Sequence, residues 1–590
     1  MRGNAPGRAP HRGLGAVFPS CSSAAAASPL SVTPAAAQPA PSRGSRTLGR
    51  GLFAAALLVA LFIGSRDISD EGVTVQGDMP RYLMDGAFLY DFLGSGAVWT
   101  FDSATTYTQR YFAQYPALSI GHHPPLLPIS LVPSYAIFGV SIFAARMTVL
   151  AFFVLSVVLL YTLVNRVYDE EVAGWACLLF ASSPIIGLYA QRVLSELPTI
   201  AVVLGALNAL VRFRASSRFR DYLLFVVLAV GSLASRQLAV FMWPAYIALL
   251  VRRGGWSGLA RRDVVTVTLA FALLVVPIAI ATLRLSPFNV AVVRDVFTDG
   301  LSVLSRVELL GPIFRAQLRP ALGVVMAAGL VMALVRRDHR IMLGVYWMVS
   351  VLASALLITG PVEPARYSIL AVPAYCVCAA SLVGGARSRE LRRMLTVGLA
   401  VAVVWALWSE RGRRPASAGG YEAAARFVLD DVDGQSAPTV LYSAAVDTGA
   451  FIFFVRKHDT GRRLVVLRSD KLLTTSLMGQ LSVEDRIRSP EEIYPLLDRY
   501  GTRFIVIEDM PSGSIVLDWL RDELKGDRFI ERRRIRIDGS TSPLRGPSLV
   551  VYQYKDARPA DPDAEIDLKL PLIGREIRVR LSELRPATLQ

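Results

Sequence analysis

The chain has 590 residues, of which 53% are hydrophobic and 19% are charged, and its mean hydropathy is +0.43. This composition excludes a soluble globular protein of this size and indicates a membrane protein with several spans. The net charge of +16 does not indicate nucleic-acid binding, because the arginines cluster between apolar segments, as the positive-inside bias predicts. The four cysteines form no spacing pattern, which argues against a disulfide framework and a thiolate metal site.

Residues 1–50 are rich in Ala, Pro, Ser and Gly, and Arg is their only charged residue type. We predict a disordered, basic cytoplasmic leader, although a start codon assigned too early also fits this composition. The first apolar run covers residues 51–64 and lies between Arg50 and Arg66. No small-residue cleavage site follows it, so we predict an uncleaved anchor with a cytoplasmic N-terminus and not a signal peptide.

Eleven further apolar segments follow before residue 411. They cover residues 126–139, 145–164, 172–189, 197–211, 222–234, 238–251, 264–283, 321–335, 341–359, 367–383 and 395–408. Segment 126–139 contains Pro128 and Pro133 and is short for a hydrocarbon core of about 30 Å, which favours a re-entrant or interfacial helix.

The arginine clusters decide the predicted topology. Four arginine clusters lie between the apolar segments, at residues 212–220, 252–262, 336–340 and 387–393. If segment 126–139 does not cross the membrane, all four clusters face the cytoplasm. We therefore predict a multi-pass α-helical membrane domain at residues 51–410 with about eleven spans. Its first outer loop is residues 65–125, and the C-terminus is exported.

The composition changes near residue 411, and residues 411–590 are predicted to form an exported soluble α/β domain. Strand patterns cover 439–442, 464–468, 503–508, 529–537 and 548–554, and helical patterns cover 424–429, 448–457 and 491–500. The domain has no glycine-rich phosphate loop and no nucleophile elbow. We assign it no catalysis.

Several short motifs occur in a specific order along the membrane domain. They are Asp78-Met79-Pro80-Arg81-Tyr82, His123-Pro124-Pro125-Leu126, Ala144-Ala145-Arg146, Ser182-Ser183-Pro184, and Arg366-Tyr367 with Pro373. Together they resemble the GT-C superfamily of integral-membrane glycosyltransferases over residues 51–410. Within it they are most similar to the bacterial relatives of protein O-mannosyltransferases and of the lipid A aminoarabinose transferase. The family commonly has an acidic dipeptide in its first outer loop, whereas this chain has Met79 in place of the Glu.

The resemblance implies a polyprenyl-phosphate sugar donor and a site at the outer face of the bacterial plasma membrane. An acceptor hydroxyl is a poor nucleophile, so a carboxylate acting as general base assists its attack on the anomeric carbon. We assign this role to Asp78, with Asp67, Asp70 and Glu71 as rivals. The alternative is that Asp78 caps the helix beginning near Pro80.

Arg236 and Arg366 are candidates to bind the lipid phosphate, since a guanidinium can grip a phosphate through two hydrogen bonds. The alternative is that both are interfacial arginines whose stems snorkel to the headgroups. His123 is expected to contact substrate. A metal site formed with His122 is less favoured, because adjacent side chains diverge and no third ligand has metal spacing.

Glu196 is expected to orient the donor or acceptor, and its alternative, a pair with Arg192 within one helical turn, is slightly favoured. Arg81 and Tyr82 are further substrate-binding candidates. They could instead anchor an amphipathic loop helix in the membrane interface. That helix carries an apolar stripe formed by Met84, Phe88, Leu89 and Phe92, a pattern more often produced by packing than by a binding site.

We therefore predict an inverting glycosyltransferase that moves a sugar from a polyprenyl phosphate to a glycan, lipid or protein acceptor. Its expected partners are that donor, the acceptor and membrane lipids. We expect neither nucleic acid nor a cofactor, and the sequence leaves open whether a divalent metal ion is needed. One rival is a transporter or flippase for the same lipid, which the lack of an internal repeat disfavours. Another is a non-catalytic membrane scaffold, which Met79 keeps open.

Overall fold

In the computed structural model, the described residues are 43–74, 78–254, 303–336, 338–358, 363–386, 388–409, 411, 415–432, 438–445, 447–477, 482–511, 513–537, 547–561, 563–570 and 575–584, with scattered helical residues from 265 to 280. Residues 1–42 of the predicted disordered leader lie outside these ranges. For residues 43–50 the prediction of disorder is wrong, because a helix begins at Arg43 and includes them. The predicted segment 264–283 lies largely outside the described residues.

The described membrane part is helical. Its helices are α1 (Arg43–Ser65), α2 (Met79–Gly94), α3 (Phe101–Gln114), α4 (Leu126–Phe138), α5 (Ile142–Val167), α6 (Glu170–Ala181), α7 (Pro184–Ala190), α8 (Glu196–Ser216), α9 (Phe219–Ser235), α10 (Trp243–Gly254), α11 (Val303–Glu308), α12 (Leu310–Val335), α13 (Met342–Ile358), α14 (Pro364–Tyr367), α15 (Val372–Gly384) and α16 (Arg389–Ser409). Capping residues and a proline fix where several of these helices begin. Ser141 and Asp169 cap α5 and α6, and Pro184 opens α7 at a bend of 63° from α6.

Six described helices are long and apolar enough to cross a membrane, and a seventh span results if bent α6–α7 is counted. The six are Gly44–Ser65, Ile142–Val167, Glu196–Ser216, Leu304–Val335, His339–Ile358 and Arg389–Ser409. The predicted multi-pass helical membrane fold is confirmed, and the figure of about eleven spans stays a prediction. The 13 residues of α4 extend about 20 Å, less than a hydrocarbon core, which fits the predicted re-entrant or interfacial helix.

The C-terminal region adds α17 (Tyr421–Val432), α18 (Ala450–His458), α19 (Ser469–Leu472), α20 (Ile493–Tyr500) and α21 (Ile515–Glu523). Its strands, numbered after β1 (Val73–Thr74) in the first loop, are β2 (Ser417–Ala418), β3 (Thr439–Ser443), β4 (Val465–Arg468), β5 (Thr474–Leu477), β6 (Ser482–Asp485), β7 (Thr502–Glu508), β8 (Phe529–Arg536), β9 (Ser548–Tyr554), β10 (Glu565–Leu570) and β11 (Arg575–Arg580). A five-stranded sheet has the order β4-β3-β7-β9-β8, in which β3, β4 and β7 are parallel. Every strand and helix predicted in this region is present.

The first loop and the C-terminal region are joined by pairing and by a shared core. β1 pairs with β2, and Val73 lies opposite Ala418. Asp91 at the end of α2 forms a buried salt bridge with Arg456 of α18. One hydrophobic core runs from the membrane helices through α2 into α17, α18 and β3. Since α2 packs against α4 and buries most of its first ten residues, its apolar stripe is packing and not an exposed interfacial face.

Candidate active site

Asp78 stands immediately before α2, where Pro80 favours the first helical turn. Its side chain makes no capping hydrogen bond, so the alternative in which this carboxylate caps the helix is wrong. Asp78 Oδ2 instead accepts a hydrogen bond of 3.1 Å from Arg366 Nη2. The side chain is 31% exposed. The carboxylate of Asp78 is thus paired with a cation and remains partly accessible to solvent.

Arg366 lies on the short helix α14, which follows Glu363 in a left-handed conformation at φ 37°. Its guanidinium contacts three carboxylates. Nε donates to Glu196 Oε1 at 2.6 Å, Nη1 to Glu363 Oε2 at 3.0 Å and Nη2 to Asp78. Arg366 therefore links the partly exposed carboxylate of Asp78 to the buried one of Glu196.

Glu196 is fully buried at the start of α8, and its Oε1 also accepts a hydrogen bond from Arg236. The favoured pair with Arg192 is wrong, because the cations that packing brings to Glu196 come from distant loops. Arg236 also lies over the ring of Tyr367, 5.3 Å from its centroid. The side chains of Arg236 and Arg366 are only 10% and 16% exposed, so neither snorkels to headgroups. Two guanidinium groups thus meet at one buried carboxylate.

His123 lies between two acids. Its Nε2 is 3.7 Å from Asp78 Oδ1, and its Nδ1 is 3.8 Å from Asp85 Oδ2. The ring stacks on Tyr82 with centroids 4.4 Å apart and an interplanar angle of 14°. Tyr82 is buried and donates to Ser195 Oγ at 3.2 Å, which excludes the interfacial anchor for this residue. His123 is therefore held between the two acids, where protonation of its ring would place a positive charge beside Asp78.

These contacts set the charge of the site. Burial raises the pKa of Asp78, but His123, Arg366 and Arg81 outweigh burial and hold the pKa well below its usual range. Burial lowers the pKa of His123, yet Asp78 and Asp85 raise it above its ordinary value. Burial and the neighbouring His123 charge lower the pKa of His122 to about 4. Asp78 is therefore ionised, and His123 is the more readily protonated histidine.

The rival acids have other partners. Asp70 Oδ1 accepts the backbone N–H of Gly72 at 2.9 Å, and Glu71 forms a salt bridge of 3.0 Å with Lys457. Arg146 donates to the backbone carbonyls of Asp67, Asp70 and Gly72 and so holds the loop in place. None of the three rival carboxylates forms a salt bridge with the two arginines in the described part of the chain.

Sequence reasoning missed three participants, namely Asp85, Ser195 and Tyr367. Asp85 follows Asp78 by seven residues, which places both on one helix face, so helical spacing could have found it. Tyr367 belongs to the Arg366-Tyr367 motif but had no role assigned to it, and Ser195 is adjacent to Glu196 but carries no spacing signal. The described residues contain no group of three or more His, Cys, Asp or Glu placed to hold a metal ion.

An apolar cavity of about 580 Å³ lies between α1, the α6–α7 bend and α16. Leu58, Phe62, Leu188 and Trp408 are among its walls, and Arg66 at the end of α1 also lines it. Leu188 belongs to the same short helix as Tyr189, which is close enough to Glu196 and Arg366 to feel their charges. A wall residue of the cavity and a residue influenced by the charged cluster are thus consecutive in α7.

Residues 122–281 match the family model of dolichyl-phosphate-mannose-protein mannosyltransferase. ArnT from Cupriavidus metallidurans bound to undecaprenyl phosphate aligns with a TM-score of 0.51 at 14% identity, over 85% of this chain and 97% of that one. The apo state of the same ArnT aligns with a TM-score of 0.52 at 14% identity, over 85% and 98%. The apo oligosaccharyltransferase of Archaeoglobus fulgidus aligns with a TM-score of 0.49 at 11% identity, over 79% and 70%. A comparison with curated proteins gave no significant match.

The chain has a GT-C glycosyltransferase fold. The family resemblance drawn from the motifs is confirmed at the level of the fold, and the chain is a multi-pass membrane protein. In this GT-C fold, the structure brings Asp78, Tyr82, His123, Glu196 and Arg366 into one cluster with Arg236. Arg81, in the first turn of α2, makes no ion pair within the described residues, although its charge acts on Asp78.

Proposed function

We propose that this protein transfers a glycosyl group from a polyprenyl-phosphate sugar to an acceptor hydroxyl, with Asp78 as the general base. One observation carries the proposal. A solvent-accessible carboxylate lies at hydrogen-bond distance from one of two arginines that converge on a buried glutamate. This arrangement offers a base for the acceptor beside cations for a phosphate.

Arg366 and Arg236 are the proposed phosphate ligands. Both guanidinium groups carry N–H donors beyond those already given to Glu196, and a guanidinium can bind phosphate through two parallel hydrogen bonds. The matched family model describes dolichyl-phosphate-mannose enzymes, and the aligned ArnT binds undecaprenyl phosphate. Both findings support a lipid-linked phosphate donor for this chain as well.

The geometry suggests how donor binding activates the base. While Arg366 contacts Asp78, the carboxylate is stabilised as an anion and is a poor proton acceptor. A donor phosphate competes for the same guanidinium. As Arg366 turns to the phosphate, Asp78 loses a cationic partner, its pKa rises, and its basicity increases. The base then becomes effective only when the donor is present.

The chemistry needs one carboxylate. The acceptor oxygen attacks the anomeric carbon and gives its proton to Asp78, while the bond to the lipid phosphate breaks. The leaving phosphate is already anionic, so it needs cations and not a proton, unlike the leaving group of a glycoside hydrolase. A single displacement inverts the anomeric configuration, and Glu196 keeps both arginines in position.

The apolar cavity lined by α1, α7 and α16 is the proposed place for the isoprenoid chain, since its walls are largely hydrocarbon. The predicted topology puts the site at the outer face of a bacterial plasma membrane, with the C-terminal region exported beside it. The acceptor is a glycan, lipid or protein that approaches Asp78 from its exposed side.

The test is Asp78→Asn, which keeps the shape of the side chain and removes the base. We expect loss of sugar transfer from purified polyprenyl-phosphate sugar, with membrane insertion and thermal unfolding close to those of wild type. Asp102→Asn is the matched control, because Asp102 is an exposed acid in the first turn of α3. Full transfer activity in Asp78→Asn would contradict the assignment of the base.

A further inference from the structure

Asp85 is a buried acid on α2 that the proposed reaction does not use. It follows Asp78 by about two helical turns, and its side chain is 5% exposed. Within the described residues its carboxylate forms no salt bridge with a lysine or an arginine, and its ionisable partner is His123. Burying a carboxylate is costly unless hydrogen bonds or an opposite charge stabilise it, so the contacts of Asp85 show what it is placed to act on.

One carboxylate oxygen of Asp85 holds the backbone of the histidine segment. Oδ1 accepts the backbone N–H of Ser119 at 2.8 Å. The carbonyl oxygen of Ser119 in turn accepts the backbone N–H groups of His122 and His123, at 2.9 Å and 3.1 Å. Asp85 thus fixes the turn from which the imidazole of His123 projects.

The other carboxylate oxygen of Asp85 faces the imidazole itself. Asp85 Oδ2 is 3.8 Å from Nδ1 of His123, and Asp78 Oδ1 is 3.7 Å from Nε2, the second ring nitrogen. Within the described residues Nδ1 is buried without a hydrogen-bond partner, and the stacking on Tyr82 fixes the plane of the ring. Both separations are longer than a hydrogen bond, but catalytic hydrogen bonds often shorten to their working length only when substrate binds.

The two acids differ in how far their charge is already compensated. Asp78 accepts a hydrogen bond from Arg366, whereas in the described part of the chain Asp85 is met by the N–H of Ser119 and by the imidazole. A neutral imidazole carries a proton on one nitrogen and accepts a proton on the other. Its N–H therefore belongs on Nδ1, towards Asp85, and this leaves the lone pair of Nε2 directed at Asp78.

We propose that His123 takes the acceptor proton on from Asp78, and that Asp85 is the positioning residue that enables His123 to accept it. This relay rests on the proposed function. As the acceptor oxygen attacks the anomeric carbon, its proton passes to Asp78 Oδ1 and then to Nε2 of His123. The imidazolium that forms lies between two carboxylates, and Asp78 is an anion again before the product leaves. Once the product has left, the proton returns to water through Asp78, whose side chain is 31% exposed.

The groups around the ring determine the pH dependence of the relay. Burial lowers the pKa of His123, but Asp78 and Asp85 raise it above its ordinary value. Further titratable groups near the ring are Tyr82, His122, whose ring centroid is 5.0 Å away, and Arg366, which contacts Asp78. Because the relay needs a neutral His123, transfer should rise with pH through the pKa of His123. Removing the charge of Asp85 lowers that pKa and moves the rise to lower pH.

Solid-state ¹⁵N NMR of the full-length protein in nanodiscs tests the position of the proton without sugar transfer. The chain has five histidines, and the His123→Gln variant assigns the signals of His123. In the wild type we expect the neutral ring to carry its proton on Nδ1, and in Asp85→Asn we expect the pKa of His123 to fall by about one unit. A neutral His123 protonated on Nε2 would overturn the relay, and so would a pKa that Asp85→Asn leaves unchanged.

The transfer rate is the second readout, with purified polyprenyl-phosphate sugar as donor and a cell-envelope extract as the source of acceptor. Asp85→Asn keeps an oxygen for the N–H of Ser119. We expect it to lower kcat at high pH by about 10²-fold and to move the rise with pH lower by about one unit. Asp85→Glu keeps the charge and should restore part of both.

Asp91→Asn is the matched control, because Asp91 is an acid on the same helix, 9% exposed, that pairs with Arg456. It should lower the unfolding midpoint and leave the pH profile of transfer unchanged. A folded Asp85→Asn protein with the wild-type kcat and pH profile would overturn the relay and leave Asp78 as the base. Wild-type transfer by Asp78→Asn would instead overturn the proposed function, and with it the source of the proton.

Discussion

Arg366→Gln is the perturbation that tests the organisation of the site most directly. Arg366 is 16% exposed and contacts the buried carboxylate of Glu196 as well as Asp78. Removing one partner of a buried ion pair costs about 3–5 kcal/mol. Because Glu196 keeps its contact with Arg236, we expect the loss to lie near the lower limit, at about 3 kcal/mol.

The catalytic loss has a separate origin. A preorganised donor to the developing negative charge contributes about 10²- to 10³-fold in kcat. Arg366→Gln is therefore expected to lower kcat by about that factor at saturating donor. Arg366→Lys should be less impaired, because it retains the charge but cannot donate to Glu196 and Asp78 at once.

The assay measures sugar transfer from purified polyprenyl-phosphate sugar, together with the thermal unfolding midpoint of each variant in the same nanodiscs. Arg534→Gln is the matched control. Arg534 also contacts two carboxylates, Asp509 at 2.6 Å and Glu531 at 2.9 Å, but it is 45% exposed on β8. Its loss should change stability by less than about 1 kcal/mol and leave transfer intact. A folded Arg366→Gln protein with wild-type kcat would refute the reasoning.

Two further predictions concern stability. His123 has a raised pKa, so its contribution to stability is complete below about pH 6.5 and is lost as the pH rises through its folded-state pKa. The unfolding midpoint of His123→Gln should therefore lie furthest below that of wild type at pH 6 and approach it at pH 9; a gap that widens with pH would contradict this. In α12, a Cβ on Gly329 would clash with the backbone carbonyl oxygen of Cys378 on α15, so Gly329→Ala should destabilise by about 1–3 kcal/mol. Gly323→Ala on the same helix meets no atom within 4 Å and should be neutral or slightly stabilising, as differential scanning fluorimetry can check.

Elements with a strong local signal were predictable. The membrane helices follow from long apolar runs, and β3, β4, β7, β8 and β9 follow from runs of β-branched residues between helical patterns. The hairpin β10–β11 was not predicted, although Ile566 and Leu568 alternate with charged residues on a period of two. The β5–β6 hairpin begins with Thr474-Thr475-Ser476, which has no such alternation.

The site was predictable as a set of residues and not as a network. Asp78, His123, Glu196, Arg236 and Arg366 were all candidates because charged groups beside apolar spans are costly without a function. Their partners were not predictable. Local reasoning favoured a salt bridge from Glu196 to a cation four residues away, whereas packing supplies cations 40 and 170 residues away.

By itself, the sequence determined which segments are apolar, where the C-terminal α/β region begins, and which side chains carry charge next to the membrane. These properties follow from composition and from periodicity within a few turns. Tertiary structure alone decided that Arg366 contacts Asp78, across 288 residues, and that Gly449, after strand β3, packs against Pro80 at the start of α2. The physical reason is that such contacts depend on how helices and strands pack. Packing brings charges from distant parts of the chain together, and burying a charge is costly unless an opposite charge pairs with it.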